Sequence, residues 1–500
     1  MSEPKLPAVS EDGAPTEGMA SASKQRLMPP ALSSLGRPSP DLVRIVLLWA
    51  AWLVILCAFQ IVVQARVSPA RPDTVLAWTQ YETGTDVLPC RPRIDDPNMN
   101  EHVAFDSEYY ISIAAAGYDD PDAQAYSATG GHASFQGVPS CSPGVPDEWT
   151  SLNYAFMPGY PMAMRPLMAV EGVLPFTSDF TDTGKATLAG IIVSTLGGLL
   201  AMLALGRLMG YLERRRKPAT AEGDADSQPG PWGGAGGLRT ALYLLVFPTG
   251  FYLAQVYTEG LFIGLAFMAC ALAVERKIVL AAVFAVLASL VRTPGFMLAI
   301  PLAWAALEIL RDRETRPAGW RIGVPIAAAA APIVAFVAWF LSPLGANWQM
   351  VEREFFTRSF DPAASVELWR RVLDSLLSGV DKTPGPNLTD YAVFGGGNLS
   401  ASSTVYIALE LAAIALGVAA CLWLLRRMPG VALFGVGVIV LSAGSAAAMG
   451  MDRYVLAVPA IFLMLVWFGR RIVFDRAWVM ASTLLMGMLA MLFTFGFWVS

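Results

Sequence analysis

The segment Tyr257–Arg313 reads YTEGLFIGLAFMACALAVERKIVLAAVFAVLASLVRTPGFMLAIPLAWAALEILRDR. It holds three apolar runs, 258–274, 278–292 and 294–310, broken only by Glu275-Arg276-Lys277 and by Arg292-Thr293-Pro294-Gly295. A helix needs about 20 apolar residues to cross the hydrocarbon core of a bilayer, so the three runs predict spans joined by short turns. Outward from this segment the same pattern recurs near 42–64, 186–207, 238–256, 322–342, 402–424, 431–450, 453–469 and 476–498. The expected fold is therefore an all-α polytopic membrane protein with about eleven transmembrane helices.

Composition agrees. The 500 residues are 55% hydrophobic and 15% charged, with a mean hydropathy of +0.50, too apolar a balance for a chain dissolved in water. A net charge of −5 without a basic domain argues against a nucleic-acid partner. Residues 1–40 are rich in Pro, Ser, Ala and Glu and are expected to form a disordered cytoplasmic tail. The first span lacks a small-residue cleavage site and is expected to be retained.

Basic residues predict the orientation. Arg214 to Lys217, Arg276 and Lys277, Arg311 to Arg321, Arg426 and Arg427, and Arg470 and Arg471 all follow even-numbered spans. Basic loops stay in the cytoplasm, so the N-terminus is read as cytoplasmic. The loops at 65–185 and 343–401 are then outward, the linker 208–237 is cytoplasmic, and 476–500 is a terminal span after a body spanning 41–475.

The polar residues worth chemistry all fall on the predicted outward side. In the first loop, Phe105-Asp106-Ser107-Glu108-Tyr109-Tyr110 opens a short helix that Asp106 or Ser107 could cap and Gly117 could end. Its aromatic and Ala-rich surface suits an interfacial helix lying along the membrane. Asn153-Tyr154-Ala155-Phe156-Met157-Pro158-Gly159-Tyr160-Pro161 reads as a turn-rich re-entry. Glu259, beside Tyr257, opens a span where it would favour the helix N-terminus, yet a charge drawn into the bilayer tends to face a partner or a cavity. Arg292 and Arg453 sit at outward turns, against the positive-inside bias, and forked guanidinium donors match phosphate oxygens. A local ion pair is the bland alternative for each.

Cys57, Cys270 and Cys421 lie in spans, whereas Cys90 and Cys141 share the first outward loop. An oxidising exterior would let the last two join, a closure contributing roughly 4 kcal/mol in the chain-entropy picture. His102, Asp106 and Glu108 are the residues a divalent ion would use, but their spacing is no metal signature. No metal or other cofactor is expected.

Together these segments resemble the GPI mannosyltransferase 2 (PIG-V-like) family of multispanning, lipid-dependent glycosyltransferases of the GT-C type. The resemblance rests on Asp106-Ser107-Glu108-Tyr109-Tyr110 through Gly117-Tyr118, on Asn153 through Pro161, and on Pro248 through Tyr257-Thr258-Glu259. Arg292-Thr293-Pro294-Gly295, and Arg453-Tyr454 with Pro459, complete it over about residues 40–470. Phe105 stands where the family usually has Trp. The resemblance implies a GT-C-like bundle with interfacial helices in its long outward loops, and a polyprenyl- or dolichyl-phosphate-mannose donor. It also implies transfer to a glycolipid or glycan acceptor with inversion at the anomeric carbon. Asp106 would be the base, with Glu108 in reserve; Arg292 and Arg453 would hold the donor phosphate, and Glu259, Tyr109 and Tyr257 would orient substrate. The Ala- and Gly-rich composition favours a bacterial member in the plasma membrane over one in the endoplasmic reticulum. The alternative from another class is a lipid or solute transporter or flippase using the same buried charges. It fits less well, because the charges cluster on one side and no inverted repeat is visible. Oligomeric state is not legible.

Overall fold

The computed structural model describes residues 39–67, 99–120, 125–127, 149–171, 180–216, 230–312, 314, 317–354, 360–380, 401–445, 450–495 and 499. The chain divides into Met1–Ser39 and Pro40–Ser500, and only the second unit is described below. The tail expected at 1–40 lies almost wholly outside the described residues, as do Cys90 and Cys141.

Helix α1 (Pro40–Val67) begins with Pro and Asp in its first turn, residues suited to a helix start. Next comes α2 (Asp106–Ala115), then a two-stranded antiparallel ribbon of β1 (Ala125–Ser127) and β2 (Trp149–Ser151). Helix α3 (Gly159–Glu171) precedes α4 (Asp182–Arg216), whose 35 residues extend about 52 Å. After α5 (Gly234–Leu245) the chain forms α6 (Thr258–Val274), α7 (Ile278–Val291), α8 (Ala299–Arg311) and α9 (Gly323–Phe340). Then follow α10 (Pro343–Glu354), α11 (Pro362–Ser378), α12 (Ala401–Leu425) and α13 (Pro429–Ala443). The short α14 (Met451–Tyr454), α15 (Pro459–Phe468) and α16 (Ile472–Thr494) close the series.

Helical structure occupies each of the eleven segments expected to span. Among the described residues, six helices are long and apolar enough to cross a bilayer, or seven if Met451–Ala457 and Pro459–Phe468, bent by 84°, form one span. Helices α6, α7 and α13 are apolar but shorter, and 238–256 divides into α5 and a 3-10 turn, Gly250–Ala254. The expected count of about eleven therefore comes down to six or seven by length. The physical reason is visible at Pro248, Pro294 and Pro459, where missing amide donors and turns break the runs.

The centre of the bundle is the crossing of α4 and α6. A Cβ placed on Gly260 would lie 2.1 Å from the Ser194 carbonyl oxygen, and one on Gly264 would lie 2.4 Å from that of Gly197. Backbone therefore meets backbone, the geometry that small residues spaced four apart permit between membrane helices. This close crossing fixes the start of α6, where Glu259 sits.

Helix α2 departs from expectation. Ser107 through Ala114 are all buried, so it is enclosed by protein and does not lie on a lipid-facing surface. Phe105, with a positive φ of 54°, occupies its N-cap, Asp106 is its first residue, and Ser107 Oγ accepts from the Ala104 amide (3.2 Å). Gly117 does end it, at φ 102°. The pattern of an interfacial helix appears instead in α11, where Val366, Leu373 and Leu377 form an exposed apolar stripe flanked by Glu367, Arg370 and Asp374.

Candidate functional site

Four charged residues from distant parts of the chain form one ionic row. Arg292 Nη1 pairs with Glu259 Oε1. The same carboxylate oxygen lies 3.3 Å from Arg453 Nε, and Arg453 Nη1 lies 3.5 Å from Asp106 Oδ2. Two cations and two anions make the row formally neutral. Side-chain exposure runs 16% at Arg292, 2% at Glu259, 8% at Arg453 and 29% at Asp106. The middle is sealed and both ends are open.

Local sequence explains each position. Tyr257 is extended and Thr258 starts α6, so Glu259 falls in the first turn, where the helix N-terminus favours a carboxylate. Arg292 ends α7 in an extended conformation, and Thr293–Leu298 follows as a 3-10 turn with Pro294 at its start. Gly295 is required there, since a Cβ would lie 2.5 Å from Ala288 backbone. Arg453 lies in α14, which begins after Gly450 in the left-handed region (φ 78°).

Aromatic rings enclose the two guanidinium groups. Arg453 lies over Tyr252, Tyr257 and Tyr454 at 5.5–5.6 Å, and Arg292 lies over Tyr454 at 5.1 Å and Phe262 at 6.0 Å. Such rings stabilise a cation while excluding water. Tyr257 also donates to the Ala104 carbonyl (3.0 Å), tying α6 to the residues just before Asp106.

The segment carrying Asp106 is held from several sides. Asn153 donates to Ser112 Oγ (2.8 Å) and to the Gly117 carbonyl (3.2 Å), and Arg165 donates to the Ile113 and Ala114 carbonyls at the end of α2. Tyr109 stacks on Phe156 (4.9 Å) in a cluster with Leu152 and Val351. Tyr109 thus joins this packing, while Tyr110 is the neighbour of the ionic row: burial first, then the Asp106 and Glu259 charges, raise its phenol above the ordinary range. Glu108 is 2% exposed, whereas the Asp106 side chain is 29% exposed.

His102 is likewise remote from Asp106 in its bonding. Its Nδ1 faces Gln255 Oε1 (3.2 Å), and burial lowers its pKa to about 4, so the ring is neutral near pH 7. Gln255 in turn bonds Gln60, whose amide also donates to the Glu101 carbonyl and to Thr494. Among the described residues no three His, Cys, Asp or Glu side chains converge as a metal site, so His102, Asp106 and Glu108 do not form one. Cys57, Cys270 and Cys421 are free thiols.

Two residues of this architecture went unread in the sequence. Glu410, inside α12, accepts from the amides of Gly450 (2.7 Å), Met451 (2.6 Å) and Asp452 (3.3 Å), capping the short helix that carries Arg453. Gln60, inside α1, joins that helix to Glu101, Gln255 and Thr494. A lone polar side chain in an apolar run was the available signal for both.

No protein-family profile matches the chain, and no curated protein matches it. Among solved structures, the chain is similar to the oligosaccharyltransferase of Archaeoglobus fulgidus in its apo form, at 13% identity with a TM-score of 0.41. The match covers 90% of this chain and 56% of that one, so the chain spans little more than half that enzyme's length.

Proposed function

We propose that the protein is a membrane glycosyltransferase that moves mannose from a polyprenyl-phosphate-linked donor to a glycolipid or glycan hydroxyl. The observation that carries this reading is the ionic row: a carboxylate accessible at one end, a guanidinium accessible at the other, and a buried Arg–Glu pair holding both. The motif resemblance described for the sequence supports the same reading.

The chemistry fits these two ends. An acceptor hydroxyl oxygen attacks the anomeric carbon as its proton passes to the Asp106 carboxylate. The bond from that carbon to the phosphate oxygen breaks on the opposite face, so configuration inverts. The electron pair leaves with the prenyl phosphate, whose added negative charge is met by Arg292. Arg292 engages Glu259 through Nη1, and a guanidinium carries further donors suited to phosphate. Arg453, enclosed by tyrosines, acts chiefly to aim Asp106.

Orientation follows from charge. Arg207 pairs with Glu275 at the far end of α6, and Arg215 donates to the Arg427 carbonyl nearby. These basic residues lie at the end of α6 opposite Glu259, and the positive-inside bias supports an extracytoplasmic ionic row.

The test is transfer in proteoliposomes from radiolabelled polyprenyl-phosphate mannose to an extract of native glycolipids. The wild-type protein is expected to label acceptor, and Asp106→Asn to lose activity by about 10³-fold with unchanged thermal stability. Wild-type turnover in Asp106→Asn would remove the base assignment. A protein that labels no acceptor but moves intact lipid or solute across the bilayer would establish the transporter reading instead.

A further inference from the structure

The opposite end of the bundle carries a small, open cleft, lined by the ends of α4 and α6, by α8 and by the turn between α12 and α13. Arg215 and Arg427 both line it, with Trp304 and Glu308 on another wall. Arg215 lies at the end of a 35-residue helix and Arg427 follows α12, so the fold brings two distant basic clusters to one place. Arg215 Nη1 donates to the Arg427 carbonyl (3.4 Å).

Several cations at this end of the bundle have carboxylate partners. Arg207 pairs with Glu275, Arg276 with Asp312 and Arg470 with Glu213. Among the described residues, Arg215 and Arg427 have no carboxylate partner. Each instead lies over a ring, Arg215 over Tyr211 (5.2 Å) and Arg427 over Trp423 (4.6 Å). Glu308, the acidic residue of the cleft, accepts from Trp304 Nε1 (2.9 Å).

The level of the cleft identifies what could meet these charges. Trp304 and Trp467 are exposed, and Trp423 packs 6.4 Å from Trp467. Tryptophans concentrate where hydrocarbon meets headgroups. Leu307, Leu422 and Leu425 on the same two helices are also exposed and offer an apolar wall to the lipid phase. A free anion would use the charges and leave that wall unused. A lipid uses both, and basic pockets between helices on the cytoplasmic side are suited to anionic headgroups.

We propose that Arg215 and Arg427 form a binding site for the phosphate of an anionic phospholipid at the end of the bundle opposite the ionic row. The site is separate from the proposed transfer chemistry and stands whether or not that reading holds.

Native mass spectrometry of the full chain in detergent tests it, with phosphatidylglycerol, phosphatidylcholine and inorganic phosphate as probes. The wild-type protein is expected to retain phosphatidylglycerol about fivefold more than phosphatidylcholine, and the double variant Arg215→Gln/Arg427→Gln to lose that preference. Each single variant is expected to lose part of it, which keeps the measurement decisive if the double variant fails to fold. Equal retention of the two lipids, or an undiminished preference in variants that elute and melt like wild type, would overturn the proposal. Displacement of phosphatidylglycerol by millimolar phosphate would also overturn it, by making the cleft a free-anion site.

Discussion

Helix α6 carries an acidic residue at each end, and each meets an arginine, yet the two pairs are built differently. Glu259, in the first turn, sits where the helix N-terminus favours a carboxylate, and its side chain is 2% exposed. Glu275, just past the last turn, sits where the helix end disfavours one. It is 19% exposed and is held by two Arg207 contacts and by Lys277 (3.0 Å). The Arg207–Glu275 pair is a bidentate, part-buried clamp that water still reaches. The Glu259 carboxylate is a hinge between two cations and itself has almost no solvent to fall back on. Removing a partner at the two ends should therefore have unequal consequences, because an orphaned buried charge costs several kcal/mol whereas an exposed one is rehydrated.

Glu259→Gln is the largest break. It leaves Arg292 and Arg453 facing each other without their shared carboxylate, and should cost about 3–5 kcal/mol. That loss would be read as a lowered midpoint of unfolding in detergent, with transfer abolished. Adding Arg292→Gln to the same chain should recover part of the stability and none of the activity. If Glu259→Gln melted like wild type, the ionic row would not be the element that holds the site together.

The sequence made half of this comparison legible. Arg292, Arg453, Glu259 and Asp106 could be picked out because each interrupts an apolar run or starts one, where a charge needs a reason to be. Their convergence could not be read: Asp106 and Arg453 are far apart in sequence, and only the fold brings them to 3.5 Å. Helix α2 was misread for a physical reason. Its aromatic and Ala-rich sequence has no strongly polar face, the pattern of a helix buried all round, whereas an interfacial helix needs the charged face that α11 has. Tyr110 rather than Tyr109 meets the ionic row because helix phase, not residue type, decides which neighbour points inward. Glu410 carried the same signal as Glu259, a lone carboxylate in an apolar helix, but its partners are backbone amides, which no side-chain pattern announces.

Glu410→Gln gives the next largest effect. The carboxylate accepts three successive amides at the start of α14, and a neutral amide keeps one acceptor while turning an NH₂ group toward the remaining donors. Loss of these charge-assisted bonds should cost about 1.5–3 kcal/mol. Because Arg453 moves with α14, transfer should fall by about 10²-fold even at temperatures where the variant is fully folded. Glu410→Asp, which keeps the charge on a shorter stem, should restore some of it. Equal activity in wild type and Glu410→Gln would show that α14 is held in place without this cap.

Arg207→Ala is the smallest expected effect and the control for the other two. It removes a guanidinium that bonds both oxygens of Glu275, a closer contact than the one Arg453 makes to Asp106. Counting contacts would make it the most damaging change of the three. Exposure argues the reverse: water reaches Glu275, Lys277 remains 3.0 Å away to hold its charge, and the lost pair should cost no more than about 1 kcal/mol. Transfer should be unchanged, since α6 separates Glu275 from Glu259 by about 24 Å. Measured unfolding and transfer rates for Arg207→Ala thus separate burial from contact geometry as the source of Glu259's importance. A loss as large as that of Glu259→Gln would mean that the two ends of α6 are energetically alike and that the sealed middle of the ionic row is not what distinguishes them.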